Sequence, residues 1–351
     1  MDLSPIPDLQ NFHTSLLRNV VSSLKMNTFV DNFDSERYSN TAGTGPQIFD
    51  AASSEQNLTW YFKNISKIYS AYCKLTDPES RKLYFDVLCY RIVGHLSFKI
   101  PVSFSNSKDD ANWMNYRKHE KYSTSVLSET FPGLKHFDFE FDGKRYICDT
   151  FGFEYYLHRK QYFYSNRETE IAPIAGDFVL DCGACTGESS VVFANAVGPE
   201  GHVFAFDPLA NHIQVIEYNI QQNRNLNIDV VPYAVSNETV HASPVETDAV
   251  NPGFNSFQPD VPKTSIDDFV HTSGLKKVDF IKMDIEGAEL NALQGALQTL
   301  RQHKPKLAIS IYHYFDDYQS IINFLSELDL YENMALGHYS IHREETVLYC
   351  S

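Results

Sequence analysis

The sequence predicts an α/β protein whose sheet is mostly parallel, preceded by a mainly helical N-terminal region. Three observations carry that expectation. From about residue 176, five short apolar runs alternate with helix-like stretches, a glycine-bearing turn follows the first run, and two closing strands stand a few residues apart. Strands this apolar are buried on both faces, which calls for helices on each side of a parallel sheet. A short turn joins only antiparallel neighbours, so the last two strands should close one edge.

The N-terminal third reads as helices. "LQNFHTSLLRNVVSSLK" (9–25) and "QNLTWYFKNISKIYSAYCKL" (56–75) carry apolar residues at helical spacing. "DPESRKLYFDVLCYRIVGHL" (77–96) opens with Asp77 as a helix cap, Pro78 in the first turn and Glu79 after it. Segments 31–54 and 101–112, rich in Ser, Asn, Asp and Gly, read as loops. "FDFEFDGKRYICD" (137–149) alternates around Asp142-Gly143, the pair that a tight hairpin turn favours. The expected strands are then 178–182, 202–207, 228–235, 278–284 and 306–313, with helices at 187–197, 209–224, 288–302 and 317–328. The closing pair is 334–340 and 345–351. Two domains are expected: a helical one over 1–135, and an α/β one over 136–351 with its core from 176.

Composition narrows the function. The formal net charge is −16, which argues against a general nucleic-acid binder and against docking on anionic membranes. No run of 18 or more apolar residues occurs, so no membrane span is expected, and no signal peptide is visible at the N-terminus. Six cysteines are too sparse for a disulfide scaffold, which makes a cytoplasmic protein with reduced thiols the expectation.

The stretch "LDCGACTGESS" (180–190) poses a choice between sulfur chemistry and backbone chemistry. A redox pair would need a thiol of lowered pKa at a helix N-terminus, and zinc would need about two further ligands. No second Cys pair exists, so Cys182 and Cys185 are expected to pack, and no metal site is assigned. Gly183 and Gly187 instead shape a strand-to-helix turn where a ligand can approach the main chain. Asp207 ends the next strand about 25 residues beyond, where an acid accepts the hydroxyls of a ribose. Together these features point to an adenosine-containing cofactor.

The loop lacks the Gly-x-Gly-x-x-Gly of nicotinamide enzymes and resembles the class I S-adenosylmethionine methyltransferase loop. "VDFIKMDIEGAELNALQGALQTLRQHKPKLAISIYH" (278–313) is similar to the hallmark segment of the FkbM family of methyltransferases. "LDCGACTGESSVVFANAVGPEGHVFAFDP" (180–208), "VPYAVSNET" (231–239), "TSIDDFV" (264–270) and "ETVLYC" (345–350) fit the same family in its order. Many members carry Asn where Cys185 stands. The resemblance implies a Rossmann-like seven-stranded class I methyltransferase sheet with S-adenosylmethionine as cofactor. It also implies that Asp181 and Gly183 border the methionine moiety, that Asp207 holds the ribose and that Tyr233 and Ala234 lie near the adenine, with Ala184, Gly187 and Pro208 also binding the cofactor. Asp284 and Glu286 would face the sulfonium and the acceptor.

Asp284 and Glu286 stand one residue apart at a strand terminus, so a strand persisting to Glu286 would point both carboxylates one way. Such a pair can take a proton from a hydroxyl or orient a sugar. Glu289 either joins them or favours a helix N-terminus. His313, past the fifth strand, is a candidate base or acceptor contact, whereas Lys282 is expected in a structural ion pair. The aromatic run "FGFEYYLHRKQYFY" (151–164) reads as core packing or as a wall of the acceptor cleft. The expected activity is O-methylation of a small molecule or sugar hydroxyl, with the oligomeric state left open. The rivals are a nicotinamide-dependent oxidoreductase and a non-catalytic binding protein that keeps the fold.

Overall fold

The computed structural model describes residues 6–25, 29, 32, 51–100, 122–129, 131–241 and 261–351. The expected loop at 101–112, and the one at 31–54 up to residue 50 (Asn32 apart), lie outside them. By inter-residue contacts the chain forms two compact units, Met1–Ser103 with Ile311–Leu348, and Phe104–Ser310 with Tyr349–Ser351. Neither unit ends at residue 135.

The first unit holds helices α1 (Leu9–Lys25), α2 (Ala51–Lys74) and α3 (Pro78–Val93). Asp77 caps α3 by accepting the Ser80 amide, with Pro78 at the first turn and Gly94 at the other end. Residues 51–54, expected as the end of a loop, instead open helix α2, where two alanines are good helix formers. The unit also contains α9 (Asp317–Glu327) and β13 (Met334–His338) from late in the chain. Tyr318 of α9 stacks on Tyr84 at 4.4 Å and donates to the Tyr84 carbonyl, while the Leu336 amide of β13 donates to Ser80. The N-terminal helices thus build their core with C-terminal elements.

In the second unit, β1 (Tyr122–Thr124), β2 (Lys135–Phe141) and β3 (Lys144–Thr150) form an antiparallel sheet. The β2–β3 turn places Asp142 and Gly143 at φ 50° and 74°, the two positive values that the Asp-Gly pair anticipates. A π-helical turn (Glu154–His158) and the short strands β4 (Tyr164–Ser165) and β5 (Glu170–Ile171) follow.

Then comes the alternation: β6 (Phe178–Cys182), α4 (Glu188–Val197), β7 (His202–Phe206), α5 (Ala210–Gln222) and β8 (Ile228–Val231). Strands β9 (Ala234–Ser236) and β10 (Lys263–Ser265), helix α6 (Ile266–Thr272) and β11 (Phe280–Met283) come next. Helices α7 (Glu289–Gln294) and α8 (Leu297–His303), β12 (Lys306–Ser310) and β14 (Thr346–Cys350) complete the elements. The main sheet has seven strands in the order β13-β14-β12-β11-β6-β7-β8. Strands β6, β7, β8, β11 and β12 run parallel to their neighbours in that group. Seven residues join β13 to β14, and the Tyr339 amide closes that hairpin on the Glu345 carbonyl.

Two expected elements are broken, each by a nameable residue. The single strand expected over 228–235 splits at Pro232, which has no amide for a ladder; β9 pairs instead with β10. The single helix over 288–302 divides at Gly295, where an added Cβ would lie 2.2 Å from the Ser236 carbonyl oxygen. No helix among the described residues is long and apolar enough to cross a membrane.

Candidate active site

Strand β6 lies between β7 and β11. The chain runs from β6 outward to β8, then returns to β11 on the other side, so the strand order reverses at β6. In open α/β sheets ligands bind beyond the carboxyl ends at such a reversal.

The loop leaving β6 is held by the protein itself. The Gly183 and Ala184 amides donate to the Phe206 carbonyl at 3.0 and 2.9 Å, and the Gly187 amide to Ala184 at 2.7 Å. The Cys185 amide donates to Asp207 Oδ2 at 3.1 Å. Gly183 has φ 84°, and a Cβ there would meet the Asp284 carbonyl oxygen at 1.9 Å. At Gly187, φ 86°, it would press on Ile216 at 3.3 Å. Both glycines are thus demanded by the chain's own packing. Asn219 adds a brace, accepting the Asp149 amide and donating to the Thr186 carbonyl, so the β2–β3 hairpin is tied to the loop.

Asp181 is fully buried and faces inward. Its Oδ2 accepts from Ser189 and Ser190 at 2.7 and 2.6 Å, and its Oδ1 pairs with Lys282 Nζ at 3.1 Å. Its carboxylate therefore braces the loop from inside. The Lys282 ammonium also donates to the Cys182 and Gly183 carbonyls at 3.2 and 2.6 Å. Burial works against its charge, but Asp181 and then Asp284 outweigh that, and its pKa is raised. The expected structural ion pair is present.

Asp207, just past β7, turns toward the loop. Besides Cys185 it accepts the Leu209 amide at 3.0 Å, and His212 Nδ1 lies 3.1 Å away. Pro208 is buried beside it; Tyr233, half-buried, follows β8, and Ala234 opens β9.

Past β11 the strand does not persist to Glu286. It ends at Met283 and the chain turns, leaving Asp284 half-buried and Glu286 exposed at φ 58°. The two carboxylates are thus not aligned by a shared strand face. The Asp284 amide donates to the Cys182 carbonyl, and Tyr162 Oη donates to Asp284 Oδ2 at 2.8 Å. Glu289 is buried at the start of α7 and accepts the Ile285 amide at 2.8 Å. His313 is half-buried three residues past β12 and belongs to the other compact unit.

Two groups escape the sequence reading. Glu188, in the first turn of α4, is buried with Thr186 Oγ1 at 2.5 Å and Tyr156 Oη at 3.4 Å; burial raises its pKa. Tyr162 is the other, hidden in the aromatic run. A carboxylate right after a glycine turn was a usable signal for the first. The second depends on a contact 122 residues away in sequence. The cysteines are all free, and burial pushes the thiols of Cys182 and Cys185 up, opposite to what a nucleophile needs.

The donor set has a chemical sense. The amides of residues 183, 184, 185 and 187 are all spent within the protein, which leaves little to cradle a pyrophosphate. Carboxylates dominate instead, which suits a cation.

Residues 181–330 match the family model of the methyltransferase FkbM domain. A crystal structure of methyltransferase FkbM from Methylobacillus flagellatus KT is 20% identical with a TM-score of 0.53. The match covers 84% of this chain but 60% of that one, and it establishes the fold. A putative rRNA-methylase from Clostridium thermocellum is 14% identical over 51% of this chain and 87% of its own, TM-score 0.33. Fibrillarin from Aeropyrum pernix, solved with natively bound S-adenosyl-L-methionine, is 12% identical over 66% and 100%, TM-score 0.36. No curated protein matches the chain.

Proposed function

We propose that the protein transfers a methyl group from S-adenosylmethionine to a hydroxyl of a sugar or secondary metabolite. The observation that carries this reading is the meeting of the β6 loop, Asp207 and Asp284 at the sheet's reversal point, with loop amides spent and carboxylates in place. A phosphate-free, positively charged cofactor fits that chemistry better than a dinucleotide does.

The cofactor, when bound, supplies a methyl carbon already activated by a positive sulfur. The chain's residues bind and orient. A carboxylate offers about four acceptor positions; Asp207 uses three on Cys185, Leu209 and His212, which leaves one for a ribose hydroxyl. Gly183, Ala184, Gly187 and Pro208 would form the floor, and Tyr233 and Ala234 would border the adenine. Asp181 acts from behind, through Lys282. Asp284 would stand toward the sulfonium end and take the acceptor's proton, with Glu286 on the exposed turn beside it. His313 is assigned to the acceptor from its place after β12 alone. Holding acceptor and methyl together in a dry site supplies most of the acceleration, and a base adds to it for an oxygen nucleophile.

Calorimetric titration tests the cofactor. S-adenosylmethionine should bind and NAD⁺ should not, and Asp207→Ala should weaken binding by about 1–3 kcal/mol through lost charged hydrogen bonds. Tight NAD⁺ binding would replace this reading with an oxidoreductase. Labelled methyl should pass to members of a sugar and phenol panel; binding with no transfer to any hydroxyl would leave a binding protein.

A further inference from the structure

We propose that Tyr162 is a positioning residue that holds the Asp284 carboxylate toward the cofactor's positive sulfur and away from Lys282. It would thereby set how strongly the site prefers the charged cofactor over its neutral, demethylated product. The inference deepens the cofactor reading above and depends on it.

Tyr162 is 1% exposed, so its hydroxyl cannot meet an acceptor; it meets Asp284. The same hydroxyl accepts from Gln161 Nε2 at 3.2 Å. A donor that is itself hydrogen-bonded is polarised and binds a carboxylate more firmly.

The backbone at this point is strained. Tyr162 has φ 74°, and Lys160, two residues earlier, has φ 52°. A bulky residue held there costs about 1–3 kcal/mol and persists only where its surroundings fix it. They do: the Tyr162 amide donates to the Tyr349 hydroxyl at 3.2 Å, and the hydroxyl is bonded on both sides. Glycine would relieve the main chain at once. Its absence points to a task for the ring and hydroxyl.

That task follows from the neighbouring charges. The Lys282 ammonium sits 5.3 Å from the centre of the Tyr162 ring, close enough to Asp284 that the carboxylate's charge acts on it. An ammonium has three donors. Lys282 spends them on Asp181 and on the Cys182 and Gly183 carbonyls, which fixes the β6 loop. Without the Tyr162 hydroxyl that ammonium would draw the half-buried Asp284 carboxylate toward itself and out of the cleft. Tyr162 prevents the collapse. It leaves Asp181 to the lysine and Asp284 to the cleft.

The test uses the full chain and two defined probes, S-adenosylmethionine and S-adenosylhomocysteine, which differ by the methyl group and the charge. In Tyr162→Phe the ratio Kd(S-adenosylmethionine)/Kd(S-adenosylhomocysteine) should rise about tenfold, the scale of one lost hydrogen bond to a charged group. Affinity for the neutral product should stay unchanged. Asp284→Asn should raise the same ratio, and the double variant should go no further than Asp284→Asn alone. An unchanged ratio in Tyr162→Phe, equal weakening of both probes, or additive effects would each overturn the proposal while leaving the cofactor reading intact. Should Tyr162→Phe fail to fold, an unchanged ratio in Asp284→Asn overturns it equally. If the wild-type chain binds neither probe, the cofactor reading fails and takes this inference with it.

Discussion

Lys282 and Arg91 are both long cations removed from water, one in each compact unit, and they are held by different means. Lys282 faces a carboxylate and its pKa is raised. Arg91 donates to the Tyr312 carbonyl at 3.0 Å and the Phe315 carbonyl at 3.5 Å. It lies over the Phe315 and Tyr318 rings, and its Nε has no hydrogen-bond partner among the described residues. Carbonyls and rings receive its terminal N–H groups but do not cancel its charge. Burial therefore lowers its pKa to about 10, against smaller opposing contributions from Tyr318 and Asp317. One unit neutralises a buried charge; the other merely solvates it.

The sharpest way to break that comparison is Lys282→Met. It strands Asp181 as an uncompensated buried charge and should cost about 3–5 kcal/mol in denaturant unfolding. Adding Asp181→Asn should recover part of the loss, because the stranded charge goes with it. The sign of the pH effect is fixed as well. A raised lysine pKa contributes stability fully present below its unfolded value and lost only as pH rises through the folded one. Wild type should therefore be flat on this account through neutral pH.

His338 gives the next largest effect, in the unit that holds Arg91. It is fully buried with Nδ1 2.9 Å from the Thr346 hydroxyl, and burial pushes its pKa from 6.5 down to about 3. The native state thus favours the neutral ring. Stability is present above pH 6.5 and lost as pH falls toward 3, by about 1.4 kcal/mol per unit inside the window. Urea midpoints at pH 7 and pH 4.5 should fall in wild type and fall less in His338→Gln. Equal slopes would remove His338 as the acid-sensitive group. Arg91→Met comes third. It leaves neutral carbonyls unpaired rather than a naked charge, so about 1–3 kcal/mol is expected. A cost matching that of Lys282→Met would end the distinction between the units.

The same contrast marks how far the sequence could be read. Strands β6, β7, β11 and β12 were legible because a strand buried on both faces is apolar throughout, and that pattern is local. The breaks at Pro232 and Gly295 were partly legible: proline announces itself, whereas Gly295 is required by Ser236, 59 positions earlier. Gly183 was readable as a turn but not for its reason, since the atom it makes room for is the carbonyl of Asp284. Lys282 as an ion-pair partner followed from its strand position. Its grip on the loop carbonyls did not, nor did Tyr162's hold on Asp284, because neither leaves a periodic trace. The helical third was visible, but its partners α9 and β13 come from the other end of the chain and no local pattern names them.

The smallest expected effect concerns Cys185, and it separates backbone from sulfur most cleanly. The residue has φ 52°, a left-handed conformation that ordinary side chains resist and that Asn adopts readily. What the residue gives the site is its amide, donated to Asp207, which any side chain leaves in place. Its thiol is pushed well above the usual range by burial, with the charges of Glu188 and Asp207 adding to that. Cys185→Asn should therefore raise stability by up to about 1 kcal/mol through relieved strain, with cofactor affinity unchanged. Cys185→Ala provides the control, because it deletes the sulfur without relieving the main chain. Equal stability of the Asn and Ala variants would show that the left-handed turn carries no strain, and lost cofactor binding in Cys185→Ala alone would return the sulfur to the chemistry.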